Sequence, residues 1–294
     1  MNRQRLFLGL SAIIVVGLIL ASALWYFTRP TAAKETDKGN RFAEGGDWST
    51  AIACYNAAID LDAAYAPAYL GRGIAYEKRW PMQLDDAIAD YTRAIALDSR
   101  NPQAYYRRGV AYYQVIKLDK GVADLSEAIR LDPDRADAYR YRAQMLWDLG
   151  DTTRALADAS ESIRLAPTDS KNWRDRSLLH EKSGNLTASI SDATEAIRLN
   201  PKDRDNFWRR ADAQIANQDS QMALRDLNDA LLIDPRNQHL LKMRARVRRA
   251  SGDEPGAERD ESEATSIDAA QDQQARERQR VRDFAKHNDA LKGK

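Results

Sequence analysis

The 294-residue sequence predicts an all-α fold built from repeated helix pairs, and three regularities predict it. Four prolines, Pro133, Pro167, Pro201 and Pro235, stand at equal steps along the chain, each closing an apolar run such as Ala128-Ile-Arg-Leu-Asp ahead of Pro133. Five residues before each proline comes a small residue (Ala128, Ser162, Ala196, Ala230), and eight before it a small or apolar one (Leu125, Ala159, Ala193, Leu227). An aromatic precedes each proline by the same interval: Tyr105, Tyr139, Trp173 and Phe207. A fixed period of this length means a solenoid, in which each unit buries its apolar face only by stacking on its neighbours.

The chain begins differently. Residues 6–27 form a continuous run without a charge. As a helix this run would be about 33 Å long, enough for a bilayer core of about 30 Å. Arg3 and Arg5 precede it, Trp25 and Tyr26 lie near its far end, and Arg29-Pro30 stops it. These flanks suit a single membrane anchor, with amphipathic rings at the interface. Ala21-Ser22-Ala23 also has the form of a signal-cleavage site, which leaves secretion after cleavage as the alternative. Cleavage there would leave Leu-Trp-Tyr-Phe at the new N-terminus, so the anchor is the expected form. Basic residues flank both sides, but a short basic tail ahead of a first apolar segment favours a cytoplasmic N-terminus. The expectation is a single-pass protein whose repeats lie outside the cytoplasm, as in a bacterial inner membrane facing the periplasm.

Beyond the run, 42 Lys and Arg (the total of 45 less Arg3, Arg5 and Arg29) face 44 Asp and Glu, a formal charge of −2. That balance excludes the basic excess expected of a nucleic-acid-binding domain. The one cysteine, Cys54, excludes an internal disulfide.

The period divides residues 32–271 into seven units: 32–65, 66–101, 102–135, 136–169, 170–203, 204–237 and 238–271. The first places Gly39, Phe42, Ala51, Tyr55 and Ala58 where two helices would pack. The second has Tyr69, Gly73, Tyr76, Ala87, Tyr91 and Ala94, with two extra residues around Trp80-Pro81 that read as a protruding turn. Tyr105, Gly109, Tyr112, Gly121 and Ala128 mark the third, and Tyr139, Ala143, Leu146, Ala155 and Ala159 the fourth. Small residues at these places allow close helix approach. Units five and six keep Trp173, Ala193, Ala196, Phe207, Ala211, Ala223 and Ala230, but carry His180 and Gln214 where the first three units have an aromatic. Unit seven has Leu241, Ala245, Ala257 and Ala264 with polar Arg248 and Glu261, the outer face a terminal repeat needs. Residues 272–294 continue as a charged capping helix and tail, with Val281, Phe284 and Leu291 at helical spacing. Gly46-Asp47, Gly150-Asp151, Gly184-Asn185 and Gly252-Asp253 fall between the two helices of a unit, where glycine can turn left-handed and the next residue can cap.

These residues resemble the tetratricopeptide repeat over most of the chain. The resemblance implies an all-α, right-handed superhelical solenoid of about seven helix-turn-helix TPR units, here preceded by a single transmembrane helix. It also implies a protein or peptide partner held in the concave groove. In this family the first helix of each unit lines the groove, which puts Tyr106, Val110, Tyr113, Arg140, Gln144, Trp147, Arg174, Trp208, Lys242 and Arg246 there. The partner these residues imply is a segment with apolar anchors and some acidic residues. The family's two-carboxylate clamp is absent, since Thr36, Gly71, Tyr106 and Val110 stand at four of its positions. Its asparagine ladder is absent as well.

No catalytic set emerges. His180, His239 and His287 lie in different helices, no nucleophile has a base beside it, and no cofactor or metal is expected. His180 reads as a partly buried histidine filling an aromatic position. The sequence therefore reads as a membrane-anchored, non-enzymatic scaffold; the alternative is an accessory or regulatory subunit of an envelope enzyme or secretion assembly whose catalytic chain is separate.

One charge pattern predicts contacts. Arg72, Arg108, Arg142, Arg176, Arg210 and Arg244 share one position, and Asp90, Asp124, Asp158, Asp192, Asp226 and Asp260 another. The first unit lacks both, having Lys38 and Cys54. Joint presence and joint loss predict pairing inside each unit; the alternative is a solvated charged face.

Overall fold

A computed structural model describes residues 30–79 and 83–292. The apolar run 6–27 and the turn at Trp80-Pro81 lie outside the described residues. Among those described, no helix is long and apolar enough to cross a membrane.

Among the described residues all regular structure is helical, and the helices come in pairs. They are α1 (Ala32–Glu44) with α2 (Trp48–Leu61), α3 (Ala66–Lys78) with α4 (Leu84–Leu97), and α5 (Pro102–Gln114) with α6 (Leu118–Leu131). Next come α7 (Ala136–Asp148) with α8 (Thr152–Leu165), and α9 (Ser170–Lys182) with α10 (Leu186–Leu199). The last are α11 (Arg204–Ala216) with α12 (Ser220–Ile233), and α13 (Gln238–Ala250) with α14 (Glu254–Lys292). The chain forms two compact units divided between Pro133 and Asp134. Within each, every helix packs on the next, and first helices also touch first helices of adjacent pairs. This is an all-α helical repeat solenoid.

The small residues make the pairs close. Gly39, Gly73, Gly109, Ala143, Ser177, Ala211 and Ala245 on the first helices are all buried, as are Ala51, Ala87, Gly121, Ala155, Ser189, Ala223 and Ala257 on the second. Tyr55 shows how little room is left: a Cβ added at Gly39 or at Gly71 would come within 2.6 Å of its ring. The phenol sits between two first helices, donates to Asn40 Oδ1 at 2.8 Å, and is pushed by burial to a pKa of about 12. Where the pattern holds serine instead of alanine, Ser177 Oγ donates to the Ser189 carbonyl at 2.8 Å, so the buried hydroxyl is satisfied.

The turns follow from residue chemistry. Gly46, Gly150, Gly184 and Gly252 have φ of 79°, 87°, 82° and 84°, a region that glycine enters without a Cβ penalty. Asp47, Asp151 and Asn185 then cap the following helix, each accepting a backbone N–H. Between α5 and α6, and between α11 and α12, no glycine is available. Ile116 (φ 57°) and Gln218 (φ 62°) occupy the same left-handed position, which is strained for a β-branched residue.

The arginine–aspartate pairs form inside each unit, as the joint pattern predicts. Arg72 Nε and Nη2 bind Asp90 at 2.8 and 2.7 Å, Arg142 binds Asp158 at 2.7 and 2.9 Å, and Arg210 binds Asp226 at 2.8 and 2.7 Å. Arg108–Asp124, Arg176–Asp192 and Arg244–Asp260 repeat the bidentate geometry. The alternative of a solvated charged face does not hold, because these aspartates are only 2–8% exposed. The remaining Nη1 reaches back to the preceding pair. Arg72 binds Asn56, Arg108 binds Thr92, Arg176 binds Ser160, Arg210 binds Thr194 and Arg244 binds Asn228. In the first pair, Lys38 instead contacts Glu35 on its own helix, and Cys54 is buried.

In α14, residues 254–292 run as one helix. Val281, singled out by its apolar spacing, is 68% exposed. The side chains of Phe284 and Leu291 lie outside those described.

Two substitutions probe these features. Ile116→Gly relieves the left-handed strain and should raise stability by roughly 0.5 to 1 kcal/mol in urea unfolding. Arg176→Ala strands the buried Asp192 and should lower it by about 3 kcal/mol. Arg164→Ala, which removes an exposed pair with Glu161, should leave the transition unmoved.

Candidate functional site

The candidate surface is the row of first helices, taken separately in each compact unit. In the first unit, α5 carries Tyr106, Val110 and Tyr113. Both tyrosines are half-buried, and the Arg107 guanidinium lies 6.0 Å from the Tyr106 ring centroid. Val110 is only 7% exposed and packs inward, which removes it as a contact for a partner. A branched side chain at that position reaches the interhelical core.

In the second unit the expected cations turn out to be engaged already. Arg140 on α7 binds Asp137 at 3.0 Å and Asp175 of α9 at 3.2 Å, and stacks 4.5 Å from the Tyr141 ring. Burial alone would lower its pKa, but Asp175 and Asp137 outweigh that and raise it. Arg174 on α9 reaches Asp203, the N-cap of α11, at 2.8 Å. Lys242 on α13 meets Asp268 of α14 at 3.1 Å, with both side chains about half exposed. Gln144 makes a 3.4 Å bond to Asp148 on its own helix, and Trp147 stays half-buried. Arg246 is exposed and, among the described residues, has no ion pair within 4.0 Å.

Trp208 on α11 has a different setting. Its ring packs partly into the core formed by Phe207, Leu227, Leu240 and neighbours. The Arg209 guanidinium lies 4.6 Å from its centroid, and the His239 ring meets it edge-on at 5.6 Å. Arg209 is itself held by Glu181 at 2.8 Å and Asp212 at 3.2 Å.

Other residues shape this surface without having been singled out by the sequence. Glu77 of α3 accepts from Arg107 at 3.2 Å and from the Tyr91 phenol at 2.7 Å. Glu181 of α9 and Arg209 of α11 repeat that arrangement in the second unit. In both cases a carboxylate in the last turn of one first helix meets an arginine in the middle of the next. The signal was present as Glu and Arg at equivalent repeat positions, 30 residues apart in the first case and 28 in the second, the difference being the two extra residues around Trp80-Pro81.

His180, the histidine in an aromatic position, is half-buried with Nε2 3.9 Å from Asp192. Burial lowers its pKa despite that carboxylate. Among the described residues no cluster of three His, Cys, Asp or Glu side chains could hold a metal ion.

A family profile described as TPR repeat matches residues 39–79 and 83–115, and one described as tetratricopeptide repeat matches residues 117–170. No curated protein matches in sequence. Among solved structures, a tetratricopeptide repeat protein from Parabacteroides merdae is 18% identical with a TM-score of 0.65, covering 80% of this chain and 93% of that one. YrrB, described as a TPR protein with an unusual peptide-binding site, is 21% identical with a TM-score of 0.52, covering 64% of this chain and 95% of its own. PilF of Pseudomonas aeruginosa is 16% identical with a TM-score of 0.63, covering 73% of this chain and 97% of its own. The profile matches show tetratricopeptide repeats within residues 39–170, and the likenesses to solved structures show a shared fold.

Proposed function

We propose that this chain is a non-catalytic scaffold that holds a protein or peptide partner on the first helices of its repeats. The observation that carries the reading is the division of labour on those helices. Arg140 and Arg174 are held by the protein's own carboxylates, while the rings of Tyr106, Tyr113, Trp147 and Trp208 keep part of their surface open. Aromatic side chains so placed are the commonest interface anchors. The partner is therefore an extended or helical segment recognised first by apolar side chains. Acidic residues in it serve only where a cation is not already neutralised.

The uncharged run at residues 6–27 supports a membrane-anchored form of this scaffold, with the repeats outside the cytoplasm. One stoichiometric catalytic chain in a pull-down from detergent extract would instead make the protein an accessory subunit.

Two measurements test the proposal. Trp147→Ala should weaken capture of the partner by about 1 to 2 kcal/mol with helical content unchanged. Wild-type affinity in both Trp147→Ala and Tyr113→Ala would place the site elsewhere. For topology, a reporter active only outside the cytoplasm, fused after Lys294, should be active, and the chain should stay in the pellet through an alkaline carbonate wash. A soluble chain that has lost the stretch from Met1 to Ala23 would show a cleaved signal instead.

A further inference from the structure

In the second unit, α11 and the segment leading into α13 enclose a cleft of about 340 Å³ lined by Arg204, Asp205, Trp208, Asn237, His239 and Leu240. A volume of this order lies at the lower end of ligand-pocket sizes, roughly 300–1,000 Å³, and has room for one large side chain. Leu240 and Trp208 supply its apolar wall. Trp208 also brings an unspent donor: its indole Nε1 is buried and, among the described residues, has no hydrogen-bond partner. The indole of Trp173, by contrast, donates to the Pro167 carbonyl at 2.9 Å. A buried donor left without a partner calls for an acceptor from elsewhere.

The charges at the cleft are largely spent internally. Arg204 pairs with Asp234 and Asp205. Along α13, Arg244 binds Asp260, Arg248 binds Asp260 and Asp253, and Arg249 binds Glu254 and Glu261. The exception is Arg246, which is exposed and unpaired among the described residues. His239, Lys242 and Arg246 stand at i, i+3 and i+7, so they share one face of α13. Seven residues of helix rise about 10 Å from His239 at the cleft to Arg246. Three residues of extended chain also span about 10 Å.

We propose that the Trp208 cleft seats one apolar or aromatic side chain of the partner segment, and that Arg246 takes a carboxylate three residues from it. This rests on the scaffold reading and deepens it, by naming a two-point motif: an anchor and an acidic residue at a separation of three. Lys242 lies between the two points but is held by Asp268 at 3.1 Å, which leaves Arg246 as the open charge on this face.

The test uses the full-length chain in detergent and fluorescein-labelled dodecapeptides of Gly and Ser carrying one Leu anchor. Asp is placed three residues after the anchor in one peptide and three before it in another; matched peptides carry Lys instead of Asp, or Gly instead of Leu. Fluorescence polarisation should show at least one Asp peptide binding, with affinity falling at least tenfold for its Lys counterpart and lost without the anchor. Arg246→Glu, a change at an exposed position, should reverse the preference so that the Lys peptide binds more tightly. Trp208→Ala should abolish binding of both. An unreversed preference in Arg246→Glu, unchanged affinity in Trp208→Ala, or no binding by any peptide overturns the assignment. A captured partner that tolerates Trp208→Ala and Arg246→Glu but is lost on Trp147→Ala also overturns the cleft, while the scaffold reading stands. Failure to capture any partner with the wild-type chain sinks the scaffold reading itself.

Discussion

The stacking of this protein depends on a guanidinium that holds three helices at once. In each pair after the first, an arginine on the first helix grips a buried aspartate on its own second helix through two parallel bonds. Its third nitrogen, in five of the six cases described, reaches the second helix of the preceding pair. The planar fork of arginine makes this possible, since lysine offers a point charge with no fixed directions. In four of the pairs the same guanidinium lies over the packing aromatic, at 5.3–5.6 Å for Tyr69, Tyr139 and Trp173 and 6.0 Å for Tyr105. Hydrogen bonding to the aspartate raises the pKa of Arg72, Arg108 and Arg210 despite their burial.

Such a clip fixes register as well as adding stability. Apolar contacts between alanine-lined helices are tolerant of sliding, because small side chains give shallow ridges. A bidentate pair is not tolerant, since displacement by one residue leaves a carboxylate buried without a partner, a far larger cost than the net gain from making the pair. The terminal pair extends the device: Arg248 joins Arg244 on Asp260, so one buried carboxylate receives two guanidinia. The first described pair has neither member, with Lys38 and Cys54 at the two positions.

The same economy of charge governs the candidate surface. Arginines on the first helices are mostly turned to holding adjacent first helices together, as Arg107 does with Glu77, Arg140 with Asp175 and Arg209 with Glu181. These contacts keep the first helices in fixed spacing. What then remains for recognition is aromatic surface and a small number of uncommitted cations, so specificity comes from which rings stay open and where the unpaired charge sits. Buried amides make the later pairs more polar inside: Asn172 and Asn206 donate to carbonyls at the ends of α8 and α10, where the second, third and fourth pairs have alanine.

The sequence by itself determined the elements. Helix pairing, the position of each turn, the left-handed glycines and the assignment of Arg142 to Asp158 rather than to another unit follow from the fixed period, because identical spacing forces identical local geometry. It also determined that small residues would sit at the helix contacts, since nothing larger fits beside Tyr55 or Leu125. Only the tertiary structure decided burial and partnership. A repeated Asp on the second helix is indistinguishable in sequence from a solvated acidic stripe until the neighbouring helix covers it. Val110 and Arg140 both stand at groove-facing positions by spacing, yet one is packed away and the other neutralised by Asp175. The choice of Ile116 in a left-handed turn is likewise invisible to composition. These outcomes depend on which side chain of an adjacent helix lies within a few ångströms, and that distance is set by stacking, which no local spacing encodes.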